Sequence, residues 1–208
     1  MIVSHGRPKS CAGKLPVAHP NLGTPFRFSP SEDDLKKITQ RVSDYVWHEM
    51  PDDGGWDYGT NLNYLRDLCD YWVREFNWWN HQAKLDQFKH FKTCVDGIDT
   101  HYLFEKGSGL NPTPLLISHG WPGSICEFLK IVEPLAHPER FGGSVEQAFD
   151  VIAPSLPGFG FSSRPPRPMG PRAMARHLNT LMTEHLGYTT YMAQGGDWGG
   201  AICSWLGF

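Results

Sequence analysis

The chain reads as an α/β fold: a helical N-terminal region, then a mostly parallel sheet that stops soon after a sharp strand-turn-helix element. Three observations predict it. Apolar residues recur at helical spacing as far as Phe88, and from Thr93 short apolar strands alternate with helix-period segments. The runs Pro114-Leu115-Leu116-Ile117-Ser118 and Phe149-Asp150-Val151-Ile152-Ala153-Pro154 are nearly all apolar, as strands covered on both faces are.

Met1 to Pro25 carry Pro, Gly, Lys and His without an apolar stretch, the composition of a flexible tail and not of a secretory leader. In Ser29-Pro30-Ser31-Glu32, Ser as N-cap, Pro at the first helical position and Glu closing a capping box predict a helix start. Leu35, Ile38, Val42, Tyr45 and Val46 form its apolar stripe, charges fall largely opposite, and Pro51-Asp52-Asp53-Gly54-Gly55 breaks it. A second helix runs from about Leu62 to Phe76, with Asn61 as its cap and Leu62, Leu65, Leu68, Trp72 and Phe76 on one stripe. Trp78 and Trp79 follow, then a short helix near Gln82 to Phe88. An aromatic set of this kind is core or docking surface before it is a cofactor box.

Beyond it, Thr93 to Val95 and Ile98 to Phe104 read as strands about the Asp96-Gly97 turn, with a loop at Gly107-Ser108-Gly109. The strand ending at Ser118 leads to a helical stripe of Phe128, Leu129, Val132 and Leu135. After the strand Phe149 to Pro154 and the proline-rich turn Arg164 to Pro168, a helix runs from about Pro171 to Leu186 and ends at Gly187. Tyr188 to Gln194 is the last strand. The expected divisions are a tail over 1–25, a helical region over 26–92 and the first part of a catalytic domain over 93–208.

Composition narrows the function. With 208 residues the chain can bury one sizeable core, and 19 Lys plus Arg against 22 Asp plus Glu leave a net charge of -3. No basic field invites nucleic acid or anionic lipid, so small neutral ligands fit better. Five scattered cysteines, without a Cys-x-x-Cys, suit reduced thiols in a cytoplasmic protein over disulfides or zinc. His81 and His90 lack metal-ligand spacing, so no metal and no cofactor is expected, and no apolar run is long enough to span a membrane.

The chemistry concentrates at Gly195-Gly196-Asp197-Trp198-Gly199. Small residues on both sides let the backbone bend sharply and hold the Asp197 side chain out at the tip. Ser usually occupies such an elbow and attacks acyl carbons. A carboxylate, ionised at neutral pH, attacks a saturated electrophilic carbon without a base and leaves an alkyl ester. The competing reading is that Asp197 only caps the following helix. A second turn, His119-Gly120-Trp121-Pro122-Gly123, follows another buried strand, and both turns fall at carboxyl ends of strands, where such sheets hold their chemistry. The N–H groups of Trp121 and Trp198 are the donors to choose for an oxyanion, with His119 as a brace for its turn and Gly120, Pro122, Gly195, Gly196 and Gly199 in support.

Trp56-Asp57-Tyr58-Gly59, Tyr71-Trp72, Phe76-Asn77-Trp78, His90-Phe91-Lys92-Thr93, Gly97-Ile98-Asp99, His119 to Ser124 with Glu127-Phe128, Val151 to Ser162, and Gln194 to Gly199 occur in one order. In these blocks, from about Phe26 onward, the chain resembles the microsomal-type epoxide hydrolases of the α/β-hydrolase superfamily. Trp79 stands where that family commonly has Arg, and Asp86 where it has Asn. The resemblance implies an incomplete α/β-hydrolase core behind an epoxide-hydrolase-type helical region. Asp197 would open a small-molecule epoxide, in the setting of xenobiotic epoxide detoxification, with Trp121 and Trp198 lining the oxyanion hole. It also implies cap tyrosines, a water-activating His and an acidic partner, all later in the chain than the nucleophile, whereas only eleven residues follow Asp197 here. The expectation is a truncated chain that does not turn over epoxides alone. A haloalkane dehalogenase, with the same Asp-Trp pair and His-Gly-x-Pro turn, is the runner-up enzyme reading. A short binding or regulatory product is the non-catalytic one, and homo-oligomerisation is left open.

Overall fold

A computed structural model describes residues 2–4, 22–49 and 55–208. Two compact units emerge: 28–84, and the described residues of 1–27 together with 85–208. The helical unit is therefore shorter than the expected 26–92, because Lys89 to Lys92 belong to a sheet strand and not to a helix. Residues 5–21 of the expected tail, and Pro51 to Gly54 of the expected break, lie outside the described residues.

In the helical unit, α1 spans Glu32–Ser43 and is capped by Ser31, whose Oγ accepts the Asp34 N–H at 3.1 Å. This corrects the expected cap: Ser31 places three acids in the first turn at the positive end of the helix, which Ser29 could not do. The helix stops at Ser43, leaving Tyr45 and Val46 outside it. Asn61 caps α2 (Leu62–Arg74) through the Tyr64 N–H, as expected. The third helix, α3 (Trp78–Leu85), begins earlier than expected because the Asn77 carboxamide accepts the Trp79 N–H at 2.9 Å. Trp78 meets Phe28 edge to face at 5.6 Å and donates its indole N–H to Gln82, whose amide reaches the Phe28 carbonyl.

The other unit is built on one seven-stranded sheet: β1 (Ile2–Ser4), β2 (Thr24–Pro25), β3 (Lys89–Val95), β4 (Ile98–Glu105), β5 (Thr113–Ser118), β6 (Phe149–Pro154) and β7 (Thr190–Gly195). Their order is β1-β7-β5-β6-β4-β3-β2. Two parts of the expected tail thus join the sheet, Ile2–Ser4 against β7 and Thr24–Pro25 against β3, both antiparallel. Parallel pairing holds where the site lies, β6 with β5 and β5 with β7, while β4 pairs antiparallel with β6 and β3, so the sheet is mixed.

Helices α4 (Val132–Ala136), α5 (Pro171–Thr180) and α6 (Trp198–Leu206) accompany the sheet. The expected stripe from Phe128 to Leu135 is split between a 3-10 turn at Ile125–Phe128 and α4. The expected helix from Pro171 is α-helical to Thr180 and π-helical over Leu181–His185, and Gly187 then turns the chain with φ +76°. The core holds Tyr102, Leu116, Ile152, Leu156, Leu178, Leu181, Met182, Tyr191 and Ile202, all fully buried. Asp150 is buried beside it and accepts from the Gly107 N–H, Lys106 Nζ and the Tyr188 hydroxyl. No described helix is long and apolar enough to cross a membrane.

Buried histidines give this unit an acid limit. Burial, the largest cause in each case, lowers the pKa of His90, His101, His119 and His177 from the ordinary 6.5, His101 to about 3. For His101 the charges of His90 and Lys92 act in the same direction. Below 6.5 the unfolded chain therefore binds more protons than the folded one, and stability is full above that pH and lost as pH falls toward 3. Urea midpoints are expected to drop already between pH 6.5 and about 5, before carboxylates titrate. Constant midpoints over that interval would contradict neutral buried histidines.

Candidate active site

The site is assembled by two neighbouring parallel strands. Ser118 of β5 lies opposite Gly195 of β7, so the turn after each strand emerges at the same sheet end. Both turns owe their closeness to missing side chains. A Cβ on Gly120 would stand 2.5 Å from Asp197 Oδ1, and one on Gly195 would stand 2.5 Å from the Gly199 carbonyl carbon. One on Gly199 would overlap the Ser118 carbonyl oxygen, whereas one on Gly196 would meet nothing within 4 Å.

Asp197 sits at φ +51° and ψ −124°, a conformation that L residues seldom adopt. Its carbonyl starts α6 by accepting from Gly200 and Ala201, yet its side chain makes no capping hydrogen bond. The carboxylate turns to the other strand instead, where Oδ1 accepts the Trp121 N–H at 2.9 Å. The hydrogen bond from the Trp121 N–H, and after it the nearness of the Trp198 N–H, hold its pKa below the usual carboxylate range. The group is solvent-exposed and stays ionised. It lines an open recess of about 380 Å³ with Gly120, Trp121, Pro122, Gly123, Glu127 and Gly196. A comparable groove of about 450 Å³ in the helical unit lies between Leu35, Ile38, Trp72, Phe76, Trp78 and Trp79, with Arg74, Glu75 and Asn77 also in its wall.

The Gly120–Trp121 turn is held from behind. His119 is buried; its Nε2 accepts the Leu156 N–H at 3.1 Å, so its Nδ1 carries the proton and donates to the Gly120 carbonyl at 2.9 Å. With both ring nitrogens engaged, His119 stands as a neutral strut and not as a base. Glu127 accepts the Ser124 N–H and reaches back to Gly123, closing a capping box. Sequence reasoning passed over Glu127 as a support, although Ser124-x-x-Glu127 carried the signal. Among the described residues no histidine is hydrogen-bonded to Asp197, and no group of three or more His, Cys, Asp or Glu could hold a metal ion.

A carboxylate elbow facing a backbone donor on the next parallel strand defines an α/β-hydrolase fold, and residues 113–207 match the family model described as "alpha/beta hydrolase fold". Residues 23–128 match that of the "Epoxide hydrolase N terminus". The chain belongs to the epoxide hydrolase family. It is 37% identical over 185 residues to "Epoxide hydrolase 1" of Sus scrofa, with 86% of this chain and 40% of that protein covered. Among solved structures it is similar to juvenile hormone epoxide hydrolase from the silkworm Bombyx mori, at 33% identity and a TM-score of 0.76 over 88% of this chain and 43% of that one. The Aspergillus niger epoxide hydrolase gives 27% and 0.77 over 90% and 50%. The chain thus spans about 40% of the length of the curated relatives it matches.

Proposed function

We propose that this chain carries the ester-forming half of an epoxide hydrolase, with Asp197 as nucleophile and the Trp121 and Trp198 N–H groups as its oxyanion hole. One observation carries the reading: the elbow carboxylate accepts the Trp121 N–H at 2.9 Å instead of capping its own helix. A carboxylate anchored through Oδ1 attacks with its other oxygen. That oxygen bonds to a ring carbon of a small-molecule epoxide as the ring C–O bond breaks, and the ring oxygen takes a proton from an acid or from water. Water then adds to the ester carbonyl carbon, the oxyanion forms against the two N–H groups, and expulsion of the vicinal diol restores the carboxylate.

The second half needs a base on the attacking water. No described histidine is placed on Asp197, so chain 1–208 is expected to form the ester and not to turn over. The unbonded state of Cys69, Cys94, Cys126 and Cys203 supports a cytoplasmic location. The test is mass spectrometry of the chain after incubation with an aryl epoxide such as styrene oxide. A mass gain of one epoxide on the peptide containing Asp197 is expected. Labelling only elsewhere, or none, would sink the nucleophile assignment and favour a non-catalytic role.

A further inference from the structure

The half-buried His90 imidazole, the buried His101 imidazole and the buried Ser155 hydroxyl, behind the oxyanion turn, have no part in the ester chemistry, yet they form one directed hydrogen-bond series. His90 Nε2 lies 2.9 Å from the Leu85 carbonyl, an acceptor only, so Nε2 carries the proton and neutral His90 accepts at Nδ1. His101 Nε2, 3.0 Å away, must then be the donor to it. This leaves His101 Nδ1 to accept the Ser155 hydroxyl at 2.9 Å. Every tautomer in the series is fixed by the carbonyl at its start.

Ser155 is held on its other sides as well. Its N–H donates to the His101 carbonyl, its own carbonyl accepts the Ser162 hydroxyl at 2.7 Å, and the Ser162 oxygen accepts the His101 N–H. Gly160, at φ +50°, has to lack a side chain, since a Cβ there would stand 2.7 Å from Ser155 Oγ. The loop clamped in this way carries two groups that face His119. Leu156 donates its N–H to the ring, and Phe159 meets the ring edge-on at 5.7 Å. His119 in turn holds the carbonyl of Gly120, next to the Trp121 N–H.

We infer that His90, His101 and Ser155 are positioning residues for the oxyanion turn, acting through Leu156 and His119; this rests on the reading of the Trp121 N–H as an oxyanion donor. The arrangement is also proton-sensitive. A proton added to His90 Nδ1 sets two N–H groups face to face, unless His101 passes its own proton across to Nδ1. There it meets the Ser155 hydroxyl. In the first case the hydrogen bond between His90 and His101 is lost; in the second the Ser155 hydroxyl loses its acceptor, and the clamp on Ser155 loosens. The charges that bear on the series are Asp86, which favours protonated His90 and is itself paired with Arg27 at 2.7 Å, and Lys92, which opposes protonated His101. At the far end Glu127 favours protonated His119.

The reporter is the Trp121 amide, followed by hydrogen exchange on the 208-residue chain. Ser155→Ala and His101→Gln are each expected to lower its protection factor about tenfold, the weight of one buried hydrogen bond, while the β5 amides stay protected. In the unaltered chain the same local loss is expected as pH falls from 6.5 toward about 3, and it is expected to be smaller in His101→Gln, which has no ring to titrate. Trp121 protection unchanged in Ser155→Ala overturns the inference. If that variant loses protection throughout the sheet, the pH series in the unaltered chain decides: loss confined to Trp121 and Leu156 supports the inference, and its absence overturns it. Adduct formation with styrene oxide is measured separately and is expected to slow about tenfold in both variants. A chain whose Trp121 amide responds while Asp197 takes no epoxide keeps the positioning series and defeats the nucleophile reading.

Discussion

Asp197→Gly is expected to abolish epoxide adduct formation while leaving the fold as stable as before, or more stable by about 1 kcal/mol. Asp197 is held at φ +51° and ψ −124°, where a side chain costs about 1–3 kcal/mol and Gly costs little. Set against this relief is the unfolded-state freedom of Gly, about 0.5–1 kcal/mol. The lost acceptor for the Trp121 N–H is a small term, because that site is open to water. An Asp kept as a helix cap would behave differently: its replacement by Gly would cost roughly a few tenths of a kcal/mol and leave labelling untouched. Urea midpoints measured beside adduct mass spectra separate the two. A variant clearly less stable than the unaltered chain, or one still labelled on the same peptide, would contradict the functional reading.

That test targets the ambiguity the sequence leaves at the elbow. Gly-Gly-Asp-Trp-Gly announces a tight turn through backbone sterics alone, and the His119 to Gly123 turn does likewise, so both could be placed at strand ends before any coordinates. What five residues cannot convey is where the carboxylate points, since capping and facing Trp121 differ only by a side-chain rotation across a long-range contact. Helix caps were legible to the extent that competition was absent. Asn61 had no rival, whereas Ser31 outranked Ser29 because three acids follow it, and Asn77 went unread beside Trp78 and Trp79. The start of β3 at Lys89 escaped for another reason. Its side chains are mostly half-buried and mixed in polarity, so neither period stands out, and only pairing with β4 makes it a strand. In the sequence His90 shows only a lack of metal-ligand spacing. Its partner His101 lies across the β3–β4 hairpin and its remote partner Ser155 beyond β6, contacts that the register creates and the spacing along the chain conceals.

Asp86, where the family commonly has Asn, accounts for itself once Arg27 is seen 2.7 Å away: the carboxylate turns a hydrogen bond into an ion pair on the surface. Its stabilisation is expected to be small, as for exposed pairs generally. Trp79, by contrast, stands about half exposed, and nothing in the structure explains its replacement of Arg.

The glycines of the elbow, alike in sequence, are expected to respond very differently to the same methyl group. In Gly199→Ala the new Cβ would overlap the Ser118 carbonyl oxygen, 2.8 Å from its carbon and 3.0 Å from the His119 carbonyl oxygen. All three are backbone atoms of β5 and the turn after it, with no flexible end to swing aside. Relief requires α6 to draw back from β5, and the Trp198 N–H at its first turn moves with it. Overpacking of this kind costs about 1–3 kcal/mol. A displacement near 1 Å at a reacting centre costs on the order of 10²-fold in rate. Gly196→Ala adds its methyl where nothing lies within 4 Å and where φ is not positive, so its effect on the urea midpoint is expected to stay within about 0.5 kcal/mol. Its adduct rate should stay near that of the unaltered chain. Equal losses in the two variants would mean that glycine serves the elbow only as a flexible joint. A loss confined to Gly199→Ala would mean that the attacking carboxylate is held in place by the closeness of α6 to the end of β5, which a single carbon is enough to prevent.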